Sequence, residues 1–161
     1  MEAKTYNILF CGVGGQGVLK ASEVCSLAAL KAGYHVKKSE VHGMSQRGGS
    51  VESHLRFGEK VYAPIIQPGK VDYLVCFEEN EGKRMSYFLS HNGVNYEKYL
   101  VDAQKTVSDA RFVNTYMLGV LSAKLPIDQQ IWLDSLQTMI PKRIEENRDV
   151  FIKGFERGKQ S

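Results

Sequence analysis

Cysteine is scarce in this chain, and its placement excludes much of the chemistry that cysteine brings. Among 161 residues there are three, Cys11, Cys25 and Cys76. They lie far apart and form no C-x-x-C, so the chain by itself cannot ligate a four-cysteine iron–sulfur cluster. Their setting in apolar stretches reads as small buried hydrophobes in a reducing compartment. The four histidines, His35, His42, His54 and His91, show no metal-ligand spacing, and no metal site is expected. Long apolar runs are missing as well. Nothing approaches the roughly twenty residues of a membrane span, and Met1-Glu2-Ala3-Lys4 lacks the apolar region of a signal peptide. The expected location is the cytoplasm, with no membrane contact. Neither sign of charge dominates: 21 Lys and Arg stand against 18 Asp and Glu, a net +3. Lys142, Arg143, Lys153 and Arg157 alternate with Glu145, Glu146 and Glu156, the pattern of a solvated helix face. Nucleic-acid binding is therefore not expected.

What is present is organised around two glycine-rich stretches. The first is Asn7–Gly17, N-I-L-F-C-G-V-G-G-Q-G. An apolar run, Ile8 to Phe10, enters Gly12-Val13-Gly14-Gly15-Gln16-Gly17, and a helical pattern (Val18, Ala21, Val24, Cys25, Ala28) begins at once. Strand, glycine turn and helix open a βαβ unit. Gly12 permits the tight turn, Gly14 lets another group approach the backbone, and Gly17 lets the helix pack close. N–H groups at the helix start face whatever sits above the sheet.

The second stretch is Glu40–Ser50, E-V-H-G-M-S-Q-R-G-G-S. Arg47 is a planar, permanently charged fork suited to a carboxylate, a phosphate or a partner's acid. Gly48 and Gly49 free the backbone to curve into an anion-holding nest, and His42 adds an imidazole, a side chain able to take up or give a proton. The plainer alternative is a tight loop whose arginine braces carbonyls and an acid such as Glu40. Ser45 and Ser50 near His42 imitate a dyad but lack a nucleophile-elbow pattern. Gly12–Gly17 also satisfies G-x-G-x-x-G, with Glu40 near the distance at which a dinucleotide fold keeps its ribose-binding acid. An NAD(H)-binding module is thus the alternative reading. Glu78, Glu79 and Glu81 follow a core strand at its carboxyl edge, either as ligands or as the acidic first turn of a helix.

Along the rest of the chain, Tyr34–Lys38 reads as a second strand. The alternation of Val51, Ser53, Leu55 and Phe57 with polar residues marks a half-exposed one, with Lys60–Tyr62 as its expected hairpin partner. Val71–Phe77 is a core strand and Glu78–Leu89 a helix closed by a turn at His91-Asn92-Gly93. Helices are expected over Phe112–Lys124, after an Asp128 cap, and from Pro141 to about Gly158 with Ile144, Phe151 and Phe155 inward. The expectation is one domain, 1–161, of the α/β class. It would be a three-layer Rossmann-like sandwich with a mostly parallel sheet, an antiparallel hairpin and a helical C-terminal third.

The two motifs together, G-V-G-G-Q-G-V-L at Gly12–Leu19 and E-V-H-G-M-S-Q-R-G-G-S-V at Glu40–Val51, resemble the gamma-type subunit (domain III) of the 2-oxoacid:ferredoxin oxidoreductases. The fuller second motif is most similar to the beta subunit of indolepyruvate ferredoxin oxidoreductase. Pro64, the strand Asp72–Phe77, N-T-Y-M-L-G at Asn114–Gly119, Asn147 and the Phe151/Gly154 pair also fit. The resemblance implies an accessory subunit of an enzyme that oxidatively decarboxylates a 2-oxoacid, in this branch an arylpyruvate such as indolepyruvate, to an acyl-CoA. It implies thiamine diphosphate and iron–sulfur clusters on a larger partner subunit, CoA as co-substrate and electrons passed to ferredoxin. It carries Gly12, Gly14, Gly15, Gln16, Gly17, Arg47, Gly48, Gly49 and Ser50 over as signature positions facing either a CoA channel or a subunit contact, with His42 and Arg47 as assisting groups. Self-association of the chain without its partner is a further expectation. The chain departs from the pattern after Gly93, where a further strand is expected, and at Glu78–Glu81, which lacks the proline associated with the indolepyruvate branch.

Overall fold

A computed structural model gives the fold of residues 4–42 and 49–161. Its sheet has five strands, β1 (Thr5–Val13), β2 (His35–His42), β3 (Ser50–Gly58), β4 (Val71–Cys76) and β5 (Leu89–Asn95). They lie in the order β2-β3-β1-β4-β5. β1 runs parallel to β4, and β4 to β5. β3 runs antiparallel to both of its neighbours. Four strands therefore point one way and β3 alone is reversed. β1 occupies the centre because its apolar run suits a strand covered on both faces: Ile8, Leu9, Phe10 and Cys11 are all fully buried.

Among the described residues there are six α-helices: α1 (Val18–Lys31), α2 (Glu79–Met85), α3 (Glu97–Thr106), α4 (Val113–Ser122), α5 (Gln129–Met139) and α6 (Ile144–Lys159). Cross-strand neighbours share a face, which sorts the layers. Ser53 Oγ meets Ser22 Oγ of α1 at 2.6 Å, so Ser53, Leu55, Ile8 and Phe10 face α1. The opposite face carries His54, Cys11 and Cys76. It is covered more thinly, by Gly82 of α2 against Cys76, by Phe88 edge-on to His54 and by Ile66, whose amide donates to His54 Nδ1 at 3.2 Å. α4 is buried from Asn114 through Ser122, as expected of a helix apolar on nearly every side. α6 closes over it. A Cβ on Gly119 would run into the Phe151 carbonyl, and one on Gly154 into the Tyr116 carbonyl. The two backbones touch, and only glycine fits there.

Several expectations need correction. Lys60–Tyr62 is not the hairpin partner of β3, because β2 and β1 already occupy both of its edges; Val61 N–H instead donates to His35 Nδ1 at 3.0 Å. The second strand is longer than Tyr34–Lys38 and includes Glu40. His91-Asn92-Gly93 is not a turn but the middle of β5, which supplies a strand before Asn95. The helix after β4 is correspondingly short, ending at Met85. Ile144 is 38% exposed while Phe151 is fully buried. Asp128 does cap α5, accepting from Gln130 N–H at 2.8 Å. Among the described residues, no helix is long and apolar enough to cross a membrane.

Two outcomes follow from this packing. Gly154→Leu should cost at least about 3 kcal/mol, since backbone rather than a flexible side chain blocks the new atoms. The melting temperature should drop by roughly 6–12 °C for a chain this size, measurable by scanning calorimetry. The thiols provide the second. Burial raises all three above their ordinary value of 9.0, Cys76 to about 12. The folded chain therefore keeps those protons while unfolded thiols ionise, so stability is intact below pH 9 and declines as pH climbs above it. A thiol-reactive dye at pH 8 should find no reactive cysteine in the native chain and three after denaturation.

Candidate functional site

β1 delivers the glycine turn to the carboxyl edge of the sheet, where α/β folds bind their ligands. Gly12 is packed tightly: a Cβ there would meet Gln16 Oε1 at 2.6 Å and Val18 Cγ2 at 2.8 Å. Gln16 folds back so that its side-chain carbonyl accepts from Val13 N–H at 2.9 Å, closing the turn. Gly17 adopts a left-handed φ of 77° as the residue before α1. The close approach it permits is to Asn114 of α4, whose Nδ2 donates to the Gly17 carbonyl at 3.4 Å, rather than to the strand.

The group that approaches Gly14 is the second motif itself. Gly14 N–H donates to the Gly49 carbonyl at 3.0 Å. Ser50 then opens β3, and its hydroxyl donates to Glu81 Oε1 at 2.7 Å. Glu81 is the residue that sequence reasoning left as an acidic helix start. Its other oxygen accepts from Arg84 Nε at 2.9 Å, and its own N–H donates to Glu78 Oε2 at 2.7 Å. Glu78 is therefore the cap of α2, Glu79 pairs with Lys83 at 2.9 Å, and Glu81 is a tether between α2 and the second motif. Such a pairing across 31 residues leaves no local signal. Asn114 was within the quoted N-T-Y-M-L-G, but its contact with Gly17 was equally invisible.

Gly14, Gly15, Gly17, His42, Gly49 and Ser50 line one hollow, together with Lys20 of α1. Gln16 faces the other side of the loop, where Phe77, Gln104 and Asn114 line a neighbouring hollow of about 310 Å³. Gly12 lines neither. His42 stands at the end of β2 with Nε2 3.9 Å from Glu40 Oε2. Arg47 and Gly48 lie outside the described residues. Glu40 is not placed as a ribose-binding acid. β3 separates β2 from β1, so Glu40 aligns with Ser53 and, through it, with Phe10. Its carboxylate is engaged by Lys38 at 3.0 Å. In a dinucleotide fold the acid's strand lies beside the first strand.

The tether is testable. Glu81→Ala should remove the Ser50 bond and leave Arg84 without its partner, costing about 1–3 kcal/mol in chemical denaturation. Hydrogen exchange at the Ser50 amide should quicken in the folded chain, whereas Glu81→Gln, which still accepts from Ser50, should change it less.

A family model described as pyruvate ferredoxin/flavodoxin oxidoreductase matches residues 7–97. The indolepyruvate oxidoreductase subunit IorB of Thermococcus kodakarensis is 50% identical over 91 residues, 56% of this chain and 45% of that protein. The chain thus spans about half the length of that relative. The crystal structure of a keto/oxoacid ferredoxin oxidoreductase gamma subunit from Geobacter sulfurreducens superposes with a TM-score of 0.79 at 22% identity, over 97% of this chain and 99% of that one. A 2-oxoglutarate:ferredoxin oxidoreductase from Magnetococcus marinus, solved with 2-oxoglutarate, coenzyme A and succinyl-CoA bound, gives 0.84 at 18% identity over 99% of this chain and 32% of that one. At such identities the likeness of the two structures is one of fold. The family match, by contrast, runs through both glycine motifs and all five strands, and the chain belongs to the pyruvate ferredoxin/flavodoxin oxidoreductase family.

Proposed function

We propose that this chain is the gamma-type accessory subunit of a 2-oxoacid:ferredoxin oxidoreductase, one domain that completes a cytoplasmic complex with a larger subunit. The complex would oxidatively decarboxylate a 2-oxoacid to an acyl-CoA and pass electrons to ferredoxin. The similarity to an indolepyruvate oxidoreductase subunit supports an arylpyruvate substrate. The observation that carries the reading is the Gly14–Gly49 bond. It joins the first signature motif to the end of the second, at Gly49, at the carboxyl edge of the sheet.

The residues here do not fit an iron–sulfur cluster. Cys11 and Cys76 pack under α2, Cys25 lies within α1, and all three thiols are kept protonated by burial. Among the described residues no three His, Cys, Asp or Glu side chains stand together to hold a metal ion. In this reading the clusters and thiamine diphosphate belong to the partner subunit. The Gly14–Gly17 turn, Gly49 and Ser50, with Arg47 and Gly48, would face CoA or the subunit contact, with His42 and Arg47 as assisting groups. The thinly covered sheet face supports a partner. Val41, Ile65 and Tyr87 are exposed around it, and self-association of the isolated chain would follow from leaving them bare.

Arg47→Ala tests the choice between channel and contact. If the arginine faces CoA, the assembled complex should keep its composition while the KM for CoA rises by about tenfold or more, the worth of a charged hydrogen bond. Normal assembly with unchanged CoA-dependent turnover would remove the CoA role. Failed assembly would assign the motif to the subunit contact.

A further inference from the structure

The two edges of the sheet differ. β5 is broken by a register shift against β4 and carries Gly93, irregularities of the kind that blunt an edge. β2 has neither. It runs 8 residues in unbroken register with β3, from His35 opposite Gly58 to His42 opposite Val51, and contains no proline. Among the described residues no strand pairs with its outer side. An edge of this length and regularity is a template for another strand.

Which backbone groups β2 offers follows from its neighbours. Gly14 N–H donates to the Gly49 carbonyl in line with the β1–β3 register, and antiparallel pairs alternate between hydrogen-bonded and non-bonded. Val51, Ser53, Leu55 and Phe57 therefore turn their backbone groups toward β1, and Glu52, His54 and Arg56 turn theirs toward β2. Val41, Ser39 and Lys37 stand opposite those last three and use their own groups on β3. The N–H and C=O groups of Val36, Lys38, Glu40 and His42 point outward.

The side chains select the occupant. Lys38 and Glu40 lie on one face, 3.0 Å apart, with side chains 24% and 31% exposed. We propose that β2 pairs antiparallel with β2 of a second copy of this chain, about a twofold axis at Ser39, so that one sheet runs through both copies. Lys38 then lies opposite Glu40 of the second copy, and Glu40 opposite its Lys38, so the four charges alternate. Val36 meets His42, and Lys37 lays its stem along Val41, which is exposed in the single chain. Facing residues must lie on the same face of a continuous sheet, so the register moves in steps of two. One step either way sets Lys38 against Lys38 or Glu40 against Glu40, like charges in direct opposition. The proposal rests on the strand edge and not on the family reading. It leaves the thinly covered face open to a larger subunit, and an assembly with that subunit would hold two copies of this chain.

Sedimentation equilibrium of the full chain tests it. A strand-edge contact is a small, reversible interface, so the dimer should be populated at concentrations on the order of 100 μM. Lys38→Glu, which puts like charges opposite each other twice, should weaken it by about tenfold. Adding Glu40→Lys to Lys38→Glu should restore it. Ser39→Cys should cross-link two copies on mild oxidation, because Ser39 faces itself in a non-bonded pair with close side chains, and Lys37→Cys should not. The native cysteines are buried and do not compete. A chain that stays monomeric throughout that range would overturn the proposal, as would a dimer that Lys38→Glu leaves unchanged. Loss of such a dimer in Ile65→Ser with Tyr87→Ser would move the contact to the apolar face.

Discussion

One backbone hydrogen bond, from Gly14 N–H to the Gly49 carbonyl, sets the relation on which the site depends. Gly14 and Gly49, from different parts of the chain, meet there backbone to backbone. The meeting requires β3 to lie against β1, because only that pairing brings residue 49 to the level of Gly14: Gly12 aligns with Val51 and Val13 with Ser50. The reversed strand is therefore what converts a βαβ opening into something other than a dinucleotide fold. It takes the place beside β1, pushes β2 to the edge of the sheet, and carries the second motif to the first. Gln16 inside the turn and Glu81 behind Ser50 then hold the two halves from either side.

The helical layer gives this edge its rigidity. α4 is buried along almost its whole length, and its backbone touches that of α6 at Gly119 and Gly154. Because Asn114 at the start of α4 contacts Gly17, the position of the glycine turn is set by the helical C-terminal third as well as by the sheet. Thr115 Oγ1 donates to Asn147 Oδ1 at 2.8 Å, tying the starts of α4 and α6 together in the same region. Polar groups buried at helix starts, each with a partner, specify the arrangement more sharply than apolar packing does.

Much of this was legible in the sequence where the signal is local. The apolar run into Gly12, the spacing of α1, the helix over Phe112–Lys124 and the Asp128 cap each follow from residues a few positions apart. β5 was not legible, because His91-Asn92-Gly93 has turn composition. Gly93 is there for a different reason: a Cβ would strike the Val71 carbonyl at 2.5 Å, at the register shift between β4 and β5, a known use of glycine in strands. The hairpin expected at Lys60–Tyr62 failed because a short strand cannot compete with two eight- or nine-residue partners for the edges of β3. At the site, the residue types were readable but their partners were not. Glu81 and Asn114 act across separations of 31 and 97 residues, which no spacing rule reaches.

The central claim is that this chain is one part of a larger enzyme. Anaerobic affinity purification of the tagged chain from its native extract tests it directly, with the eluate scanned for thiamine diphosphate and iron. The same eluate would be assayed for CoA-dependent dye reduction with indolepyruvate, phenylpyruvate, pyruvate and 2-oxoglutarate. The account predicts a larger co-purifying subunit that carries both cofactors, and turnover fastest with an arylpyruvate. A chain that elutes alone, without activity and with its melting point raised by NADH, would contradict it.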